Sequence, residues 1–155
     1  MKLEAWRKAD DLASEAFRLT EKEMHPRHRW LALQLARAAF SVTSNIAEGY
    51  GRTSLGDYVR FLEFAGGSLN EVENALHFIR RNSVLPSEKL QQAEELRHAS
   101  SNLLFGLIRA LRRRLKSGEP WQRGLLSDES VRYQVPTSQF PVPSSKFPNP
   151  EDPHA

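Results

Sequence analysis

The sequence predicts an all-α protein: an antiparallel up-down four-helix bundle over residues 3–117, in a domain spanning 1–118, and a disordered proline-rich tail over 119–155. Three observations carry this. Pro26, the Gly49-Tyr50-Gly51 cluster, Pro86 and Gly118 cut the chain into four segments, each long enough for a substantial helix. Within the segments apolar residues recur every three or four positions, the helical period, and no strand alternation competes. Seven of the nine prolines fall after Gly118, where a residue without an N–H and with fixed φ cannot continue a helix.

The first segment, about residues 3–23, sets Trp6, Ala9, Leu12, Ala13, Ala16 and Leu19 on one side and Glu4, Lys8, Asp11, Glu15 and Lys22 on the other. The third carries the clearest pattern: Tyr58, Leu62, Ala65, Leu69, Val72, Leu76 and Ile79 are spaced alternately by four and three, the seam of a bundle. Its start is marked by Ser54 and Asp57, a capping-box-like pair, and Gly49 or Gly51 is expected to take a left-handed cap at the end of helix two. The short turn between them makes helices two and three antiparallel neighbours. The fourth segment, Ser87 to Lys116, aligns Ala93, Leu96, Ser100, Leu103, Leu104, Leu107, Leu111 and Leu115, and Gly118 stops it. In the tail, Phe140-Pro141 and Phe147-Pro148 recur seven residues apart, either as plain disorder or as a docking motif.

Composition narrows the function. A chain of 155 residues with 39% hydrophobic and 26% charged residues fits one soluble globular domain. The absence of cysteine excludes disulfides, thiolate metal ligands and a cysteine nucleophile, and suits a reducing compartment. Met1 to Arg7 turns charged at once, unlike a signal peptide, and no apolar run approaches membrane-spanning length. A cytoplasmic protein with no membrane partner is expected. Residues 1–118 hold 19 Lys+Arg against 14 Asp+Glu, giving +5, while 119–155 hold 3 against 5, giving −2. The basic character belongs to the bundle, which suits an acidic partner such as RNA.

Helix two departs from one wet face and one dry face. Leu31, Leu35, Ala38, Val42 and Ile46 form one apolar stripe; Leu33, Ala36, Phe40, Thr43 and Ala47 form a second, roughly opposite. Only one side of a helix meets the core of a four-helix monomer, so Leu33, Ala36, Phe40 and Ala47 are candidates for an interface with another subunit. Between the stripes runs a polar line of Gln34, Arg37, Ser41, Ser44, Asn45, Glu48 and Arg52. One reading is a structural lock, with Arg37 or Arg52 paired to Glu48 and Asn45 holding the loop of residues 49–53. The other is a polar pocket or pore lining repeated around an oligomer.

No catalytic constellation assembles. The run from Gly49 to Ser54 opens a helix, but it lacks GxxxxGK[ST] and a preceding strand, and capping accounts for it. His25 and His28 flank a turn near Glu23 without a further ligand, while His77 and His98 sit on helices three and four as ordinary helix residues. No paired carboxylates or nucleophile triad can be built, so no cofactor, metal or enzymatic activity is expected. The basic candidates for contacting nucleic acid are Arg109, Arg112, Arg113 and Lys116 on one face of helix four, with Arg114 nearby. Cations in the last turns of a helix also stabilise its dipole without any ligand. Arg80 and Arg81, with Arg27 and Arg29, are secondary candidates.

The stretch from Gln34 to Arg52, QLARAAFSVTSNIAEGYGR, resembles the QxRRAxxSxxxNIAEGxxR core of the bacterial 23S ribosomal RNA intervening-sequence proteins. Trp6, Ala9 and Leu12, with Phe61, Leu62, Ala65, Gly67, Ser68, Leu69 and Glu71, extend the resemblance over about residues 3–117. Ala36 stands where the first of two arginines is frequent, Gly66 where a basic residue is common, and Trp30 where glycine is usual. The resemblance implies a four-helix bundle that forms a cytoplasmic homo-oligomer, a pentameric ring, without catalytic activity. It implies partners among RNA or a reverse transcriptase-type nucleoprotein, since similar bundles accompany diversity-generating retroelements. The competing expectation is a homo-oligomeric protein-interaction scaffold without nucleic acid.

Overall fold

The computed structural model describes residues 3–118 as four α-helices: α1 (Glu4–Lys22), α2 (Arg29–Tyr50), α3 (Leu55–Arg81) and α4 (Ser87–Ser117), with a 3-10 turn at Pro26–His28 before α2. No strand occurs among the described residues. The helices stand at the corners of a square in chain order: α1 packs on α2, α2 on α3, α3 on α4 and α4 back on α1, while the diagonal pairs do not approach. This is the up-down-up-down bundle that short connections between amphipathic helices dictate. The tail of residues 119–155, including the two Phe-Pro repeats, lies outside the described residues.

The seam of α3 forms the centre of the core. Tyr58, Leu62, Ala65, Leu69, Val72, Leu76 and Ile79 are all buried, facing Ala9, Leu12, Ala16 and Leu19 of α1 and Leu35, Val42 and Ile46 of α2. Burial pushes the Tyr58 hydroxyl well above its ordinary pKa, the ring meeting Tyr50 edge-on at a centroid distance of 6.2 Å. On α4 the stripe needs correction. Leu90, Ala93, Ser100, Leu104, Ile108 and Leu111 are buried, Leu96, Leu103 and Leu107 are half-buried, and Leu115 is exposed. Lys89 pairs with Glu23, which sets the end of α1 beside the start of α4, and with 31 residues against 19 α4 runs past the start of α1 at its far end. Leu115 stands exposed on that overhang, and the buried face of α4 runs through Leu104, Ile108 and Leu111, leaving Leu103 and Leu107 at its edge.

The ends of α3 and α4 follow the expected chemistry. Ser54 Oγ accepts from the Asp57 N–H at 3.2 Å, and Gly118 adopts φ 69°, the left-handed geometry that a side chain would strain. The end of α2 does not. Gly51 is right-handed at φ −71° and Gly49 is still helical, so neither takes the left-handed cap. Gly49 serves close packing instead: a Cβ there would lie 2.7 Å from Phe61 Cβ and 3.0 Å from Tyr58 Cδ2. Only a residue without a side chain lets α2 cross α3 at this height.

Ion pairs tie neighbouring helices at their edges. Glu15, expected on the wet face of α1, is buried, with both carboxylate oxygens on Arg18 at 2.7 and 2.8 Å. Arg18 also reaches Glu23 at 3.1 Å, and Lys89 at the start of α4 pairs with the same Glu23. The hydrogen bond from Lys89 first, with that from Arg18, holds the Glu23 carboxyl below the usual carboxylate range. The bidentate Glu15 contact in turn raises Arg18 above the ordinary guanidinium value.

Candidate functional site

The polar line of α2 lies along the outer edge of the α2–α3 seam. Asn45 Nδ2 donates to the Ser41 carbonyl at 2.8 Å and to Ser41 Oγ at 3.1 Å. The Ser68 hydroxyl of α3 lies 2.9 Å from Ser41 Oγ and 3.2 Å from the Phe64 carbonyl, so its single proton serves one acceptor at a time. One turn further on, Arg52 pairs with Glu48, and its guanidinium stacks over the Phe61 ring at 4.4 Å. Ser44 bonds back to the Phe40 carbonyl at 3.0 Å. These contacts join α2 to α3 and satisfy most of the line. Two details differ from the lock expected of the sequence. Asn45 bonds to its own helix instead of the loop of residues 49–53, because its side chain points back along α2. Arg37 stands eleven residues, about 16 Å, from Glu48 along α2, out of its reach, and makes no ion pair among the described residues; with Gln34 it remains exposed.

The second stripe of α2 faces out beside α1. Leu33 is 50% exposed and Phe40 67%, Ala47 is exposed and Ala36 half-buried; only Thr43 is buried, its hydroxyl on the Phe40 carbonyl at 2.8 Å. Phe17 of α1, 61% exposed, joins them across a groove of about 480 Å³ lined by Ala13, Ala36, Phe17 and Phe40, with Asp10, Ser14 and Arg37 at its edges. Two large aromatics uncovered on one face are uncommon for an isolated domain and typical of a surface that meets another. Sequence reading passed over Phe17; its position among the charged residues of α1 was the available signal.

The basic candidates separate into paired and unpaired groups. Arg112 is held by Glu63 Oε1 at 2.7 Å from Nη2 and 3.2 Å from Nε, and Arg80 is paired with Glu94 across α3 and α4. Arg109, Arg113 and Lys116 stand exposed on the last turns of α4 without an acidic partner among the described residues, as does Arg81 at the end of α3. Arg109, Arg113 and Lys116 thus form a cationic cluster on the part of α4 that includes its overhang.

The histidines take other places. His25 caps the 3-10 turn, its Nδ1 accepting from the Arg27 N–H at 3.2 Å. His77 and His98 line a polar cleft of about 210 Å³ between α3 and α4 with Glu73, Arg80, Glu94 and Arg97. No three of the described His, Asp and Glu residues are arranged to hold a metal ion, and no helix among the described residues is long and apolar enough to cross a membrane.

Comparison with known proteins bears on this arrangement. The sequence model of a family described as 23S rRNA-intervening sequence protein matches residues 1–106. A solved structure from Bacteroides thetaiotaomicron, described as a protein with unknown function from the S23 ribosomal protein family, superposes with a TM-score of 0.58 at 21% identity, over 67% of this chain and 97% of that one. At that identity the likeness is one of fold. No curated protein matches the chain.

Proposed function

This chain belongs to the 23S rRNA-intervening sequence protein family, and we propose that it works as a non-enzymatic, ring-forming adapter, pentameric as its family resemblance implies, that holds RNA or a nucleoprotein through a basic surface. The observation that carries the reading is the cluster of Arg109, Arg113 and Lys116, exposed at the end of α4 with no carboxylate to neutralise it among the described residues. Three flexible cations within two turns match the spacing of a phosphate backbone better than the geometry of a small ligand, and association of subunits multiplies them. The apolar face of Leu33, Phe40 and Phe17 supports the association.

The test is a salt titration of RNA binding. If each of the three cations meets one phosphate, replacing all three by alanine lowers the slope of log K against log salt by about 2 per subunit engaged, at about 0.7 per single-strand contact. Absence of binding at low salt overturns the reading. Binding that is salt-dependent but unchanged in the triple variant moves the contact elsewhere. Glu63 on Arg112 and Glu94 on Arg80 favour a second reading, a homo-oligomeric scaffold without nucleic acid, because these two candidate cations are already neutralised. A stable oligomer free of nucleic acid, whose protein partner is lost with residues 119–155, distinguishes it.

A further inference from the structure

We infer that the cleft between the start of α2 and the end of α3 is a docking site for a proline-rich segment, and that its occupant is the chain's own Phe140-Pro141-Val142-Pro143-Ser144-Ser145-Lys146-Phe147-Pro148. The cleft has a volume of about 270 Å³ and is built on Trp30 and Phe78, whose rings meet edge-on with centroids 5.7 Å apart. Trp30 is 58% and Phe78 41% exposed, with buried Ala75 as floor. Around this apolar bed stand Gln34, Asn74 and Glu71, all exposed and none hydrogen-bonded among the described residues. Small-molecule pockets begin at about 300 Å³, so a cleft of this size suits a side chain or two of a peptide better than a cofactor.

The chemistry is that of polyproline recognition. Prolines fix φ near −65° and leave a strand of carbonyls unpaired, so a ligand of this kind offers rings to aromatic surfaces and acceptors to side-chain donors. Trp30 and Phe78 supply the surfaces, and the amides of Gln34 and Asn74 the donors. Glu71 at the rim gives Lys146, the one charged residue of the segment, an opposite charge.

Reach permits it. The cleft lies toward the end of the bundle remote from Gly118, roughly 35 Å away along α4, since Glu73 and Arg80 beside it pair with Arg97 and Glu94. The 21 residues between Gly118 and Phe140 extend to roughly 70 Å. Tethering supplies an effective concentration approaching the millimolar range, so even modest affinity for the free segment keeps it docked. The inference is independent of nucleic-acid binding and uses a different face from Phe17 and Phe40.

The experiment uses the full chain carrying Phe140→Ser and Phe147→Ser, which disables its own tail, titrated with a synthetic peptide of residues 138–150 and followed by isothermal titration calorimetry. Saturable binding is expected, weakened at least tenfold by Trp30→Ala and by Glu71→Lys, with the Glu71→Lys loss restored by a Lys146→Glu peptide. The unaltered chain should bind the peptide at least tenfold more weakly, its own segment occupying the cleft. No saturable binding to the tail-disabled chain, undiminished binding to the Glu71→Lys chain, or equal binding to the unaltered chain overturns the inference. The charge-reversal pair keeps the test decisive should Trp30→Ala misfold.

Discussion

Replacing Phe40 by Asp tests whether the outer face of α2 is an interface. In the isolated bundle the side chain is 67% exposed, and the backbone carbonyl that receives Thr43 and Ser44 is untouched, so the fold should survive. A phenylalanine buries about 150–250 Å², of which two thirds remains to be covered by a neighbour, roughly 100–170 Å². At about 25 cal/mol per Å² that is about 2.5–4 kcal/mol for each contact, before the added penalty of desolvating a carboxylate. Affinity between subunits should therefore fall by roughly two to three orders of magnitude. Light scattering at micromolar concentration reads this as a drop from oligomer to monomer, and circular dichroism confirms retained helix. Phe17→Asp, across the same groove, should act alike. An undiminished mass in both variants would show that association, if present, uses another face.

Two further predictions concern the bundle. Gly49→Ala should destabilise it by about 1–2 kcal/mol, because a Cβ at 2.7 Å from Phe61 Cβ forces the helices apart and outweighs the gain in helix propensity. Gly67→Ala, where a Cβ meets nothing within 4 Å, should stabilise by about 0.5–1 kcal/mol; denaturant midpoints that move the same way for both would refute the packing account. The lowered pKa of Glu23 means that its pairing with Lys89 and Arg18 stabilises the fold fully above its unfolded value of 4.5 and is lost as pH falls through the lower folded value. Glu23→Gln should accordingly flatten the loss of stability below pH 4.5, measured by urea unfolding across acid pH; an unchanged acid limb would contradict the assigned pairing.

The fold was legible because the period is local. The four-three spacing from Tyr58 to Ile79 names the core face of α3 without knowledge of its neighbours, and Ser54 with Asp57 marks its start. What the sequence withheld depends on register between helices. That Glu63 would meet Arg112, Glu94 meet Arg80 and Ser68 meet Ser41 requires knowing how far one helix slides along the next. The same applies to Gly49, whose neighbours in sequence suggest a cap while its neighbours in space demand close approach, and to Leu115, which has the right period but lies past the end of its partner. The polar line of α2 was visible as a pattern, and helical spacing already separates Arg52, four residues from Glu48, from Arg37, eleven residues away.

Native mass spectrometry of the freshly purified full chain, at low salt and without nuclease, tests the adapter reading most directly. It predicts an integral multiple of the 17.7 kDa subunit carrying additional mass that ribonuclease removes, and loss of that mass when Arg109, Arg113 and Lys116 are replaced together. A 17.7 kDa monomer, or an oligomer that carries no nucleic acid under these conditions, would contradict it.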